Sequence, residues 1–317
     1  KLPLTGTIES ATRGFWKHPK LWYLVARWAN LPTASGSRSK ICSEIIIHSL
    51  SYRIAVWNVC VDQRIARAWP GLAEASEADT GLRLQGWSLT RSALGQGSRY
   101  TARVEGDTLG LHLDCDTTQP VLLQGREGLS RKGPEAVQAS HYYSQPQLAV
   151  QGELVLGGER WRIAPGQGRA WLDHEWSDRY LGDAQGWDWL GINLHDGRAL
   201  TLFQLRRKDG QRDWAGGSLR TPGQPDRSFT PQEVEMMPTR HWTSPSTGAR
   251  WPVAWRLQTP AGEMHVEAWF DAQEIDARRS SGLVYWEGAA RLLDRENRPL
   301  GAGYLELTGY IGKPPMA

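Results

Sequence analysis

A chain of 317 residues with 37 Lys and Arg against 34 Asp and Glu carries a formal charge of +3 and is long enough for one large core or two ordinary ones. Opposite charges are interspersed, and the absence of any basic block or zinc-type spacing argues against a nucleic-acid partner. No apolar run reaches the length of a membrane-spanning helix; Ser43–His48 is only a short apolar patch.

The 34 Gly and 18 Pro, set among many short alternating runs, favour an all-β fold. Seventeen Trp against four Phe is an unusual balance. Wide apolar faces with one donor each suit the walls of a pocket for a large hydrophobic ligand, and equally the plugs and cores of barrels. Three cysteines, Cys42, Cys60 and Cys115, fit no metal spacing and allow at most one disulfide.

Along the chain, residues 1–69 are the least regular. The aromatic stretch Phe15–Trp28 reads as strand or helix, Leu31–Lys40 as a loop, and Ile41–Val61 as apolar stretches able to pair as strands. Beyond Asp62 the text becomes regular. Leu82–Leu89, Tyr100–Glu105, Thr108–Cys115, Pro120–Gln124, His141–Tyr143, Gln147–Leu156 and Arg160–Ile163 read as successive strands.

The sharpest local signal is a hairpin. Trp187–Leu194 and Arg198–Leu205 alternate on either side of Asp196-Gly197, the dipeptide preferred in a type I′ turn. A two-residue turn there places Asp188 opposite Leu205, on the more apolar face, and Trp187 opposite Arg206, where the guanidinium stacks on the indole.

The second half repeats the plan. Arg250–Leu257 and Glu263–Phe270 alternate, and Val284–Leu293 with Leu300–Tyr310 form a closing hairpin in which Tyr304, Glu306, Thr308 and Tyr310 share a face. A boundary near Gly182–Gln185 divides the chain into two β units, residues 1–182 and 183–317. Strand-length pieces at regular spacing without an amphipathic helix indicate barrels or sandwiches.

Several stretches together resemble the AttH-like proteins related to bacterial carotenoid hydratases. They are Gly168–Arg207, SRKG (Ser130–Gly133), SHYYSQPQL (Ser140–Leu148), WTSPSTGARWPVAWRL (Trp242–Leu257), QEI (Gln273–Ile275), YWEGA (Tyr285–Ala289) and GYLELTGY (Gly303–Tyr310). The resemblance covers roughly residues 62–312. It implies two lipocalin-like antiparallel β-barrels in tandem. It also implies either of two functions: hydro-lyase addition of water to an acyclic isoprenoid with no metal or organic cofactor, or non-catalytic lipid carriage outside the cytoplasm, in the periplasm, beside an ABC transporter. The chain is expected to be a monomer or weak homodimer. One departure stands out: the family's first barrel opens with an acidic-Trp-Trp-Tyr segment, and Leu21-Trp22-Tyr23-Leu24 is the nearest match, without the acidic residue.

Hydrating an alkene needs an acid strong enough to protonate carbon, a surface that tolerates a carbocation, and a placed water. A carboxylic acid in an apolar pocket fits the first role and aromatic faces the second. Asp188, on the apolar hairpin face, is the acid candidate, and its alternative is a buried carboxylate paired with an arginine. His174 and Trp176 share a face of one strand, with Asp173 and Glu175 on the other. The His-x-Trp pair resembles the hydratase pattern, so His174 is the second catalytic candidate, able to hold the attacking water. Trp176, Trp187, Trp189, Tyr142, Tyr143, Trp255, Trp286, Glu287, Tyr304 and Glu306 are expected to contact substrate. Structural alternatives stand beside each: core packing for Trp255 and Trp286, and strand-tying hydrogen bonds for Glu287 and Glu306. No Gly-x-Ser-x-Gly elbow is present, and no metal set is expected.

Overall fold

In a computed structural model the chain is all-β, and no helix occurs among the described residues. The structure describes residues 76, 78–84, 86–105, 109–156, 158–177, 184–278 and 283–312, and for strand backbone also Leu4–Glu9, Lys20–Ala29, Lys40–Ser51, Arg64–Ala68 and Ala73–Ala75. The chain divides into two compact units, residues 1–121 with 144–176, and residues 122–143 with 177–317. Each is built on a curled antiparallel sheet of the lipocalin-like type.

In the first unit, Lys20–Ala29 is a strand rather than a helix, and it pairs antiparallel with Lys40–Ser51 from Lys20↔Ser51 to Ala29↔Cys42. Farther on, Trp87–Leu94, Gly97–Val104, Leu109–Asp116 and the latter part of Ala139–Leu156 lie side by side. Their registers align Leu89, Ala102 and Leu113 in one row and Tyr100, Cys115 and Val150 in the next. All of these are buried, as strict alternation requires of a one-sided sheet. The opposite side carries charges, including a bidentate Arg99–Asp116 pair at 2.6 and 2.7 Å. Cys115 is a free thiol, and burial pushes its pKa up to about 12. Cys42 lies where only strand backbone is described, and Cys60 lies outside the described residues.

The second unit's sheet takes Gly186–Leu194 as a central strand, flanked by Ala199–Arg206 on one side and Pro299–Leu307 on the other. Arg212–Arg220 continues beyond the first flank, and Leu283–Leu293, Gly262–Ala268 and Arg250–Thr259 continue beyond the second. One face of these strands packs into a dense apolar core: Leu190, Ile192, Leu200, Leu202, Leu305 and Leu307 meet Trp251, Trp255 and Trp286. Trp255 and Trp286 therefore belong to the core, their ring N–H groups donating to the backbone carbonyls of Pro252 and Asp271 at 2.8 and 2.7 Å. This is the core-packing alternative for both residues.

The hairpin register differs from the sequence expectation by one residue. The turn is His195-Asp196-Gly197, closed by Leu194 N to Arg198 O at 2.9 Å, and only Gly197 takes positive φ, at 88°. This is the three-residue hairpin built on a type I turn with a glycine bulge, not the two-residue type I′ turn. The slip changes each cross-strand partner: Asp188 faces Gln204 rather than Leu205, and Trp187 faces Leu205 rather than Arg206.

Candidate functional site

The register puts Asp188, Gln204 and Arg206 together on the core-facing side. Asp188 is fully buried and its oxygens accept from Arg206 Nε and Gln204 Nε2, each at 2.8 Å, and from the Tyr310 hydroxyl at 2.9 Å. Arg206 also donates to the Thr308 carbonyl and stands 3.9 Å over the Tyr310 ring, so it stacks there rather than on Trp187. Burial alone would lower the Arg206 pKa, but the Asp188 charge and hydrogen bond outweigh it and the guanidinium is held above its usual value. Burial first, and then the Asp188 charge, raise the Tyr310 phenol well above its ordinary range. This is the ion-pair alternative for Asp188: its carboxylate is fully buried and has three donors. Tyr310 reaches it because the strand ends at Leu307 and Gly309, with φ of 74°, turns the chain over. The expected common face for Tyr304, Glu306 and Tyr310 is thereby broken.

The other face of the same strands is also buried, yet it is rich in aromatic and ionisable groups. Across neighbouring strands one row runs Gly216, Phe203, Trp189, Glu306, Glu287. The adjoining row runs Ser218, Thr201, Gly191, Tyr304, Ala289. Glu306 and Glu287 stand directly opposite each other at 4 % and 1 % exposure. Glu306 accepts the Trp187 indole N–H at 2.9 Å, and the Tyr304 hydroxyl lies 3.4 Å from Glu287 Oε2. Trp187 holds its place through its backbone N–H, which donates to the Thr308 hydroxyl at 2.9 Å.

Residues 122–143 close over this face. Gln124 is bonded to Thr201 at 3.0 Å and accepts from Ser218, the Trp189 indole donates to the Tyr142 hydroxyl at 3.1 Å, and Lys132 Nζ sits 4.2 and 4.8 Å over the Phe203 and Tyr142 rings. Lys132 is 5 % exposed, and its ammonium rests on the two aromatic faces as a cation–π contact. The structure thus gathers Trp187, Trp189, Tyr142, Tyr304, Glu287 and Glu306 of the expected site. It adds Phe203, Lys132 and Gln124. Tyr143, half-buried, points to the opposite side of its strand from Tyr142.

In the first unit, His174 and Trp176 are half-buried with ring centroids 5.1 Å apart, and burial lowers the His174 pKa, which leaves the imidazole neutral at neutral pH. Asp173 accepts from Ser144 Oγ at 2.5 Å and from the Trp171 indole at 2.8 Å. Among the described residues no group of three His, Cys, Asp or Glu is placed to hold a metal ion.

The sequence signature of AttH-like proteins matches residues 44–310. The chain belongs to the AttH-like family. A crystal structure of a candidate AttH from Nitrosomonas europaea is 38% identical, spans 97% of this chain and 93% of its own, and superposes with a TM-score of 0.75. The fold extends further: kievitone hydratase from Nectria haematococca superposes with a TM-score of 0.63 over 96% of this chain and 89% of its own, at 13% identity. Comparison with the curated proteins gives no match. The tandem lipocalin-like architecture of this AttH-like protein is thus also that of a hydratase.

Proposed function

We propose that this AttH-like protein is a hydratase that adds water across a carbon–carbon double bond of an elongated hydrophobic molecule, an isoprenoid or another lipid, on the buried aromatic face of the second unit. The observation that carries the reading is the Glu287–Glu306 pair. Two carboxyl groups stand directly opposite each other on a buried face, with the Trp187 indole and the Tyr304 hydroxyl beside them, and in this reading one of the two carries the proton that starts the reaction. A proton so held is available to an alkene carbon lying against Trp189 and Tyr304. As the C–H bond forms, the positive charge on the neighbouring carbon faces aromatic rings rather than water. Water then attacks that carbon, a C–O bond forms, and the proton it sheds returns to the carboxylate pair. The net change is alkene plus water to alcohol, and the acid is regenerated.

The acid role moves from Asp188 to this pair because Asp188 is committed to Arg206. The hydratase named among the structural neighbours supports the reading at the level of fold. The test is incubation of the purified protein with acyclic isoprenoids such as farnesene and farnesol, followed by mass analysis. A product heavier by one water, lost in Glu287→Gln and Glu306→Gln, supports hydration. Recovery of every bound molecule unchanged points instead to a carrier.

A further inference from the structure

The strand Gly262–Ala268 continues its pairing one step beyond its end, through Trp269 N to Ala289 O at 2.9 Å. Ala268 faces the core opposite Ala290, so Trp269 falls on the same face as Ala289, Tyr304 and Glu287. Its row reads Trp269, Ala289, Tyr304. Two bulky aromatic residues thus flank one methyl group, two strand spacings apart, or roughly 10 Å. Ala289 is buried and forms the floor of this niche, with the Tyr304–Glu287 contact on one side.

The opposite wall has an unmet need. The Trp269 indole nitrogen is shut off from solvent and has no hydrogen-bond acceptor within reach. A buried donor left unpaired is costly, and native proteins rarely leave one so. Arg291, whose guanidinium lies 5.7 Å over the Trp269 ring and pairs with Glu267, also lines a hollow of about 270 Å³ with His265 and Asn297. The Arg291–Glu267 pair thus lies on the Trp269 side of Ala289, and the Tyr304–Glu287 contact on the other.

We infer that the ligand is an oxygenated alkene rather than a pure hydrocarbon, and that its hydroxyl or carbonyl oxygen accepts the Trp269 indole N–H over Ala289. The inference rests on the hydratase reading for the position of the double bond, and it adds the substrate class and a specificity residue. An oxygen at Trp269 fixes how far along the chain the alkene meets Glu287, so Trp269 acts by positioning.

Farnesol and farnesene share a carbon skeleton and differ in the oxygen, which makes them the probe pair. Equilibrium dialysis of the full-length protein with each, followed by extraction and chromatography, gives two dissociation constants. Farnesol should bind about tenfold more tightly, the equivalent of one hydrogen bond. Trp269→Phe should bring the ratio close to one by weakening farnesol more than farnesene. Ala289→Val, which narrows the niche, should weaken farnesol selectively. A wild-type ratio near one, or a ratio that survives both substitutions, overturns this inference alone and means that only water meets Trp269. Failure of both probes to bind overturns the hydrophobic-ligand reading with it.

Discussion

Replacing Asp188 by Asn tests whether the ion pair in the second unit's core is structural. The side chain keeps its volume but loses the charge opposite Arg206 and one of the two oxygens that now accept from Arg206, Gln204 and Tyr310 at 2.8, 2.8 and 2.9 Å. Arg206 is 7 % exposed, so its guanidinium would be left in the core without a countercharge, with the Thr308 carbonyl, the Tyr310 ring and one neutral amide oxygen beside it. Removing one partner of a buried pair costs about 3–5 kcal/mol. The pair itself contributes much less, because both charges were desolvated to make it. Asp188→Leu with Arg206→Met should therefore lie within about 1 kcal/mol of wild type, and the double-mutant cycle should show strong coupling. Urea unfolding followed by tryptophan fluorescence measures both. A loss below about 1 kcal/mol for Asp188→Asn, or a double variant less stable than the single one, would refute the reasoning.

Three further outcomes follow from the same geometry. Tyr310 keeps its proton well above the ordinary phenol pKa of 10.0, so the folded state binds a proton that the unfolded chain releases. Its contribution is whole below that value and is lost as pH rises toward the folded one; the alkaline fall in urea midpoint should be shallower in Tyr310→Phe. Glu274 accepts from Ser244, Thr247 and Trp251 at 2.7, 2.7 and 2.6 Å and so fastens the Ser244–Ala249 turn, and Glu274→Ala should cost about 2 kcal/mol by thermal or urea unfolding. Cys115, buried with its thiol pushed up to about 12, should resist alkylation in the native protein at mildly alkaline pH and react once unfolded, as peptide mass mapping would register.

The fold was legible because period-two alternation is strong wherever one side of a sheet is buried, as in Leu89, Ala102 and Leu113. The hairpin at Asp196-Gly197 was legible as a hairpin but not in register. The same dipeptide serves a two-residue and a three-residue turn, and only backbone geometry separates them. That one-residue slip hid the Asp188–Arg206 pair, since it gave Asp188 an apolar neighbour in place of Gln204.

The shared face of Glu287, Tyr304 and Glu306 was readable from alternation within each strand, but their alignment across strands depended on pairing that no local pattern fixes. Lys132 and Gln124 escaped notice for a different reason. They precede the expected second domain by some fifty residues of sequence, yet they belong to the unit formed by residues 122–143 and 177–317. Nothing in the composition of that segment marks which sheet it covers.

The central claim is that the carboxyl pair on the buried face hydrates an alkene. The most direct measurement is incubation with farnesol in water labelled with heavy oxygen, comparing wild type with Glu287→Gln and Glu306→Gln after confirming that both variants unfold at the wild-type urea midpoint. The account predicts a product that has gained one labelled water with the wild type, and a rate lower by about a hundredfold or more in either variant. Labelled product formed equally by all three proteins would contradict it, as would tightly bound farnesol that leaves every one of them unchanged.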